Sequence, residues 1–146
     1  MTGNVAQVFL DDEAWEAALR SLHAALRPGG RLAFDSRNPA AREWETWTKE
    51  NTHQRLATPR GPVETWLEVA AVDGNLVRIE GCNLFVNSDE LIVAPSTLRF
   101  RSADEISRSL ANTGFIVENM YGDWRRGPLT SGSLSMVTIA RKASAE

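Results

Sequence analysis

Trp15, Leu19, Leu22 and Leu26 recur at spacings of four, three and four, which predicts an amphipathic helix from about Asp12 to Arg27 with one apolar stripe. Asp11 and Asp12 supply an N-cap and a negative charge for the first turn. Pro28 stops the helix, and Gly29-Gly30 makes the turn into Arg31-Leu32-Ala33-Phe34-Asp35, read as a buried strand. Upstream, Val5, Val8, Phe9 and Leu10 form a mostly apolar run without alternation. That pattern predicts a short strand over 4–10, covered on both faces of a parallel sheet. Strand, helix and strand in this length imply a right-handed crossover, and so an α/β frame.

The middle of the chain changes period. Ala40 to Lys49 lacks Gly and Pro and places Trp44 and Trp47 three apart, which predicts a short helix or lid. Thr52 to Pro62 is polar with two prolines and reads as a connecting loop. Val63–Val72, Leu76–Val86 and Leu91–Arg101 then alternate, separated by the turns Asp73-Gly74 and Asn87-Ser88-Asp89-Glu90, which predicts a three-stranded antiparallel meander. Ser102-Ala103-Asp104-Glu105 is a capping box opening a helix that faces Ile106 and Leu110 inward and ends at Gly114. Strands follow at Phe115-Ile116-Val117 and Leu134–Ala140, joined through the loop Tyr121–Pro128, and 142–146 is expected to fray. The predicted organisation is one domain, 1–146. Its α/β core is 1–39 and 102–142, its lid and loop 40–62, and its antiparallel insertion 63–101.

Composition narrows the function classes. At 146 residues the chain has room for one core. A net charge of −3 with both signs scattered gives no basic stripe, so nucleic acid is not an expected partner. No apolar run approaches the ~20 residues of a spanning helix, and the start has no secretion signal, so no membrane partner is expected. Cys82 is the single cysteine; with no disulfide available the expected setting is the cytoplasm, and with only His23 and His53 beside it no zinc site is expected.

Four segments in order carry a resemblance: Thr2-Gly3-Asn4-Val5-Ala6-Gln7-Val8-Phe9, Leu26-Arg27-Pro28-Gly29-Gly30-Arg31-Leu32, Ser36-Arg37-Asn38-Pro39 and Asn112-Thr113-Gly114-Phe115. Together they resemble the C-terminal half of class I S-adenosylmethionine-dependent methyltransferases, in the small-molecule branch with an antiparallel insertion after the fifth strand. The resemblance implies an incomplete Rossmann-like sheet whose first strands, with the glycine-rich cofactor loop and the acidic ribose ligand, have no counterpart here. One reading is that Met1 is an internal methionine of a longer enzyme. The cofactor implied is S-adenosylmethionine, on an incomplete site, with no metal. A bare sheet face and an open edge beside Val5–Phe9 would then favour a homodimer, with exchange of elements between copies as one form.

By the same resemblance Gly3, Asn4 and Gln7 line the cofactor crevice. Asp35, Arg37 and Asn38 follow the second strand, where open α/β sheets place ligands, and are candidate substrate contacts; Arg37 and Asn38 also suit a simple turn before Pro39. Trp44, Trp47, Trp66, Tyr121 and Trp124 are candidates for an aromatic wall around an amine or other small substrate, or for plain core. His23 and His53 are bases by residue type alone, and hydrolase motifs are absent. The expected function is a methyltransferase-like, substrate-side domain for an unknown small molecule, active once completed by a mate, a partner or a longer chain. The alternatives are a non-catalytic small-ligand-binding or assembly module of the same fold, and a ligand pocket beneath the meander unrelated to methyl transfer.

Overall fold

The computed structural model describes residues 1–143. The chain forms two compact units, one of Met1–Arg42 with the chain from Arg99 onward, the other of Glu43–Leu98. The architecture is mixed α/β with antiparallel sheets.

In the first unit the strand expected over 4–10 does not form. Gly3 (φ +76°) and Asn4 (φ +59°) are left-handed, which an extended chain cannot accommodate, and Val5–Val8 closes a single 3-10 turn. Only Ala6 and Gln7 of that turn are buried; Val5, Val8 and Leu10 stay exposed. Without that strand the expected parallel crossover does not form among the described residues. Helix α1 (Asp12–Ala25) is capped by Asp11, whose carboxylate accepts the Ala14 N–H at 2.7 Å. It ends two residues before Arg27, where Lys142 Nζ donates to the carbonyls of His23 (2.7 Å) and Leu26 (2.8 Å), a cation placed at the negative end of the helix. Lys142, expected to fray, is therefore fixed; the rest of that expectation lies outside the described residues beyond Ala143.

Strand β1 (Arg31–Arg37) alternates, sending Leu32, Phe34 and Ser36 inward. The later strands of this unit are β6 (Phe115–Tyr121) and β7 (Ser135–Lys142), and the sheet order β1-β7-β6 is antiparallel throughout. Helix α3 (Ala103–Asn112) carries the expected capping box in full, Ser102 and Glu105 each satisfying the other's N–H. Trp15 and Leu19 of α1 and Ile106 and Leu110 of α3 join Phe34, Phe115, Met136 and Ala140 in one core. The Trp15 indole donates to Ser109 Oγ at 2.8 Å.

The short helix or lid expected over 40–49 forms only as 3-10 turns, Pro39–Ala41 in the first unit and Glu43–Thr46 in the second. Trp44 lies in the 3-10 turn Glu43–Thr46, and α2 (Lys49–Thr52) is a single turn capped by Thr48. The sheet of the second unit has four strands, not three: β2 (Gln54–Thr58), β3 (Gly61–Asp73), β4 (Leu76–Phe85) and β5 (Glu90–Arg99), in that order. The segment 52–62, expected as a loop, contains β2 and the start of β3, because Pro59 falls in the turn and Pro62 lies opposite Ala57 at the hairpin end, so neither breaks the pairing. Gly61 at φ +114° closes that hairpin. Thr52 Oγ1 bonds both the N–H (2.9 Å) and the C=O (3.1 Å) of Leu67, fastening α2 to β3.

Candidate functional site

Alternation along β1 turns Asp35 and Arg37 away from the helices, onto the open face of the three-stranded sheet at its carboxyl end. The N-terminal turn lies beside them. The Asn4 N–H donates to Asp35 Oδ1 at 2.9 Å, and Arg37 Nη1 donates to Gln7 Oε1 at 3.0 Å. Gln7 is fully buried, yet its Nε2 has no partner, and the buried Asn4 Oδ1 has none either. A donor and an acceptor are thus left unmet within one turn, the complement of a ligand that offers both. Gly3 owes its identity to its backbone: a Cβ there would meet nothing within 4 Å, so the residue is required by φ +76° and not by close approach.

The three candidates after β1 divide. Asn38 is committed to the turn: its Nδ2 donates to the carbonyls of Thr130 (3.1 Å) and Ser133 (2.9 Å), while its Oδ1 accepts the Ala40 N–H (3.1 Å). That is the bland reading of Asn38, and its geometry leaves little for a substrate. Asp35 has one oxygen on Asn4 and the other on the Trp124 indole N–H at 3.1 Å. Arg37 alone points its guanidinium at a candidate cofactor residue.

The β6–β7 loop brings Trp124 to Asp35. Asp123 Oδ1 caps the N–H groups of Arg125 (2.8 Å) and Gly127 (2.9 Å), and Arg126 takes a left-handed conformation at φ +67°. Trp124 is half exposed. It and Tyr121 line a concavity of about 480 Å³ on the open face, floored by Ala33, Val137 and Ile139. At the far end Glu118 sits at the bulge in β6 and takes Arg31 (2.6 Å) and Arg141 (3.2 Å), which hold its carboxyl below the ordinary range.

The other three aromatic candidates belong to the second unit. Trp44 and Trp47 are buried, as is Trp66 on β3, whose indole N–H lacks a partner while Lys49 Nζ stands 3.8 Å from its ring centre. His53 pairs with Glu64 at 3.2 Å, and Arg55 takes the other oxygen at 3.0 Å. His23, half-buried, meets the Phe115 ring edge-on. Burial pushes the Cys82 thiol up from its usual value, so it behaves as a small apolar residue. Among the described residues no group of His, Cys, Asp and Glu is placed to hold a metal.

Two arginines escaped sequence reasoning. Arg101 is 3% exposed, and its guanidinium holds the carbonyls of Ala6 (3.4 Å) and Asp11 (3.1 Å) with the Asp12 carboxylate (3.3 Å). Arg99 takes Leu10 O at 2.8 Å and Asp12 at 3.0 Å. Arg101 thereby clamps the turn that carries Gln7, and Arg99 the segment that leads from it into α1. The signal available was weak: two charges at alternate positions of a strand end.

No family profile and no curated protein matches the chain. Solved structures do. An S-adenosylmethionine-dependent methyltransferase from Clostridium acetobutylicum superposes with a TM-score of 0.72 at 7% identity, covering 98% of this chain and 56% of its own. An amino pentose methyltransferase from Micromonospora echinaspora involved in calicheamicin biosynthesis, solved with S-adenosylmethionine bound, gives 0.67 at 14% identity, over 97% and 57%. The CcbJ methyltransferase from Streptomyces caelestis gives 0.64 at 17%, over 97% and 58%. At such identities the likeness is one of fold. The fold is that of S-adenosylmethionine-dependent methyltransferases, and the chain spans a little over half the length of the structures it matches.

Proposed function

We propose that this chain is the substrate-side part of an S-adenosylmethionine-dependent methyltransferase acting on a small molecule. The observation that carries the reading is the pair of buried, unmet polar atoms, Asn4 Oδ1 and Gln7 Nε2, at the carboxyl end of β1 in a fold of this kind. The residues present fit part of such a cofactor, which offers both donors and acceptors. Asn4 and Gln7 would hold it, with Gly3 shaping the turn. When bound, it supplies an electrophilic methyl on sulfur. This chain's residues bind, orient and exclude water, which is most of what methyl transfer requires. Arg37 fixes the Gln7 carbonyl so that the Nε2 donor is presented, and Tyr121 and Trp124 supply an aromatic surface for the substrate, while the candidates Trp44, Trp47 and Trp66 are buried within the second unit. The setting proposed is cytoplasmic; no described helix is long and apolar enough to cross a membrane.

Activity on this reading needs completion of the pocket by a second copy, a partner or further chain. The association proposed is a homodimer, with exchange of elements between copies as one form, and light scattering at micromolar concentration tests it: a monodisperse monomer excludes it. A second reading, a non-catalytic binding or assembly module, is favoured by one observation: Asn38 and both oxygens of Asp35 are occupied by the protein itself. Calorimetric titration with S-adenosylhomocysteine separates the two. Saturable micromolar binding that Gln7→Leu abolishes supports the methyltransferase reading; no binding at millimolar ligand supports the module.

A further inference from the structure

Asp35 joins two segments that sequence keeps far apart. Its Oδ1 accepts the backbone N–H of Asn4 at 2.9 Å, and its Oδ2 accepts the indole N–H of Trp124 at 3.1 Å. The first bond sets the left-handed turn that presents the unmet Asn4 Oδ1 and, one turn on, the unmet Gln7 Nε2. The second holds the ring that walls the concavity over Ala33, Val137 and Ile139. A carboxylate accepting one hydrogen bond on each oxygen is rigid in a way that neither bond alone achieves, because rotation about the Cβ–Cγ bond breaks both at once.

We infer that Asp35 is a positioning residue, not a substrate ligand: it couples the cofactor-facing turn at Asn4 to Trp124, so that what binds at Asn4 and Gln7 and where Trp124 sits are linked equilibria. This rests on the proposed cofactor role of Asn4 and Gln7, which it deepens by adding a reporter 89 residues away from Asp35. The linkage is local. Trp124 is half exposed and its loop is held by Asp123 through backbone N–H groups of its own, so the ring can leave Asp35 without unfolding the loop. The strained φ of +67° at Arg126 marks the same loop as one whose backbone is held by context.

The test uses the intact chain, labelled for proton–nitrogen correlation spectra, with S-adenosylhomocysteine as the probe. The Trp124 indole resonance is identified by its loss in Trp124→Phe. On titration it should shift with the same midpoint that calorimetry gives. Asp35→Asn and Trp124→Phe should each weaken the probe about fivefold, the lower end of coupling between linked sites, and the double variant should weaken it no further than the stronger single. An indole resonance unmoved at saturation, or singles whose effects multiply in the double, overturns the coupling. If the wild-type chain binds no probe up to millimolar concentration, the cofactor role fails, and the coupling is decided without ligand: Trp124→Phe must shift the amide signals of Asn4 and Gln7. Unshifted signals overturn it as well.

Discussion

Replacing Gln7 by leucine separates what this side chain does for the fold from what it does for a ligand. Gln7 is fully buried, with Oε1 on Arg37 Nη1 at 3.0 Å and Nε2 without a partner. A buried amide donor left unmet costs about 1–3 kcal/mol, and leucine removes that cost while filling a similar volume. Against it stands the lost bond from Arg37, charge-assisted and worth about 1.5–3 kcal/mol. Arg37 is only partly buried and keeps further interactions, so its freed donor is not stranded. The two terms cancel to within about 1 kcal/mol, and the urea midpoint should barely move at constant slope. A glutamine retained for packing and hydrogen bonding would instead cost about 2 kcal/mol or more when removed. The same variant should lose S-adenosylhomocysteine affinity by at least about tenfold, since tenfold corresponds to roughly 1.4 kcal/mol, less than one good hydrogen bond to a buried donor. Urea unfolding followed by tryptophan emission gives the first quantity and calorimetry the second. A destabilisation above about 2 kcal/mol with unchanged probe affinity would refute the reasoning.

Other outcomes follow from single contacts. Ser109→Ala strands the buried Trp15 indole N–H and should cost about 1–2 kcal/mol after the better helix propensity of alanine is counted, seen as a lower Tm; in a Trp15→Phe background the same change should be nearly silent. Arg101→Met frees two backbone carbonyls around the N-terminal turn and should cost about 2–3 kcal/mol, with faster amide exchange over 6–11. Arg31 and Arg141 lower the Glu118 pKa from its ordinary 4.5, so the carboxylate contributes stability that is present above that value and lost as pH falls through the lowered one. The stability gap between wild type and Glu118→Gln should therefore close in acid and narrow in high salt, both readable by urea titration. Ile92→Lys, on an edge strand where Leu91, Ile92 and Val93 are 44–51% exposed, should raise the concentration at which scattering appears while leaving the unfolding midpoint within about 0.5 kcal/mol.

Where the sequence was informative, the signal was local. The stripe Trp15, Leu19, Leu22, Leu26 and the box Ser102–Glu105 each specify their helix through residues three or four apart, and both helices formed. The turns at Asp73-Gly74 and 87–90 likewise fixed the hairpins between β3, β4 and β5. The misses were of two kinds. In the run Val5–Leu10 the apolar Val5, Val8 and Leu10 are exposed while Ala6 and Gln7 are buried, and the cue against a strand, two consecutive residues suited to positive φ at Gly3-Asn4, outweighed the apolar pattern. Strand β2 is exposed at every position, so its composition is that of a loop; only its partner β3, across a turn that absorbs Pro59, makes it a strand.

The candidate site shows the same boundary between near and far. Asn38 before Pro39 could be read as a turn residue, and its Oδ1 accepts the Ala40 N–H in that local way, but its two bonds to the carbonyls of Thr130 and Ser133 could not be read from its neighbours. The bonds from Trp124 to Asp35 and from Arg101 to Ala6 and Asp11 span about ninety residues and leave no pattern in the neighbouring sequence. What β1 does reveal is a gradient. Its inward positions pass from Leu32 and Phe34 to Ser36, so polarity rises on the buried face toward the carboxyl end, while the outward face carries Arg31, Ala33, Asp35 and Arg37. A strand chosen for stability alone has no reason to end so. Two unmet polar atoms beside that end cost about 1–3 kcal/mol each, a burden that a few apolar substitutions would lift. Local rules broken together at one place are what the proposed ligand role of Asn4 and Gln7 would account for, and the Gln7→Leu titration decides it.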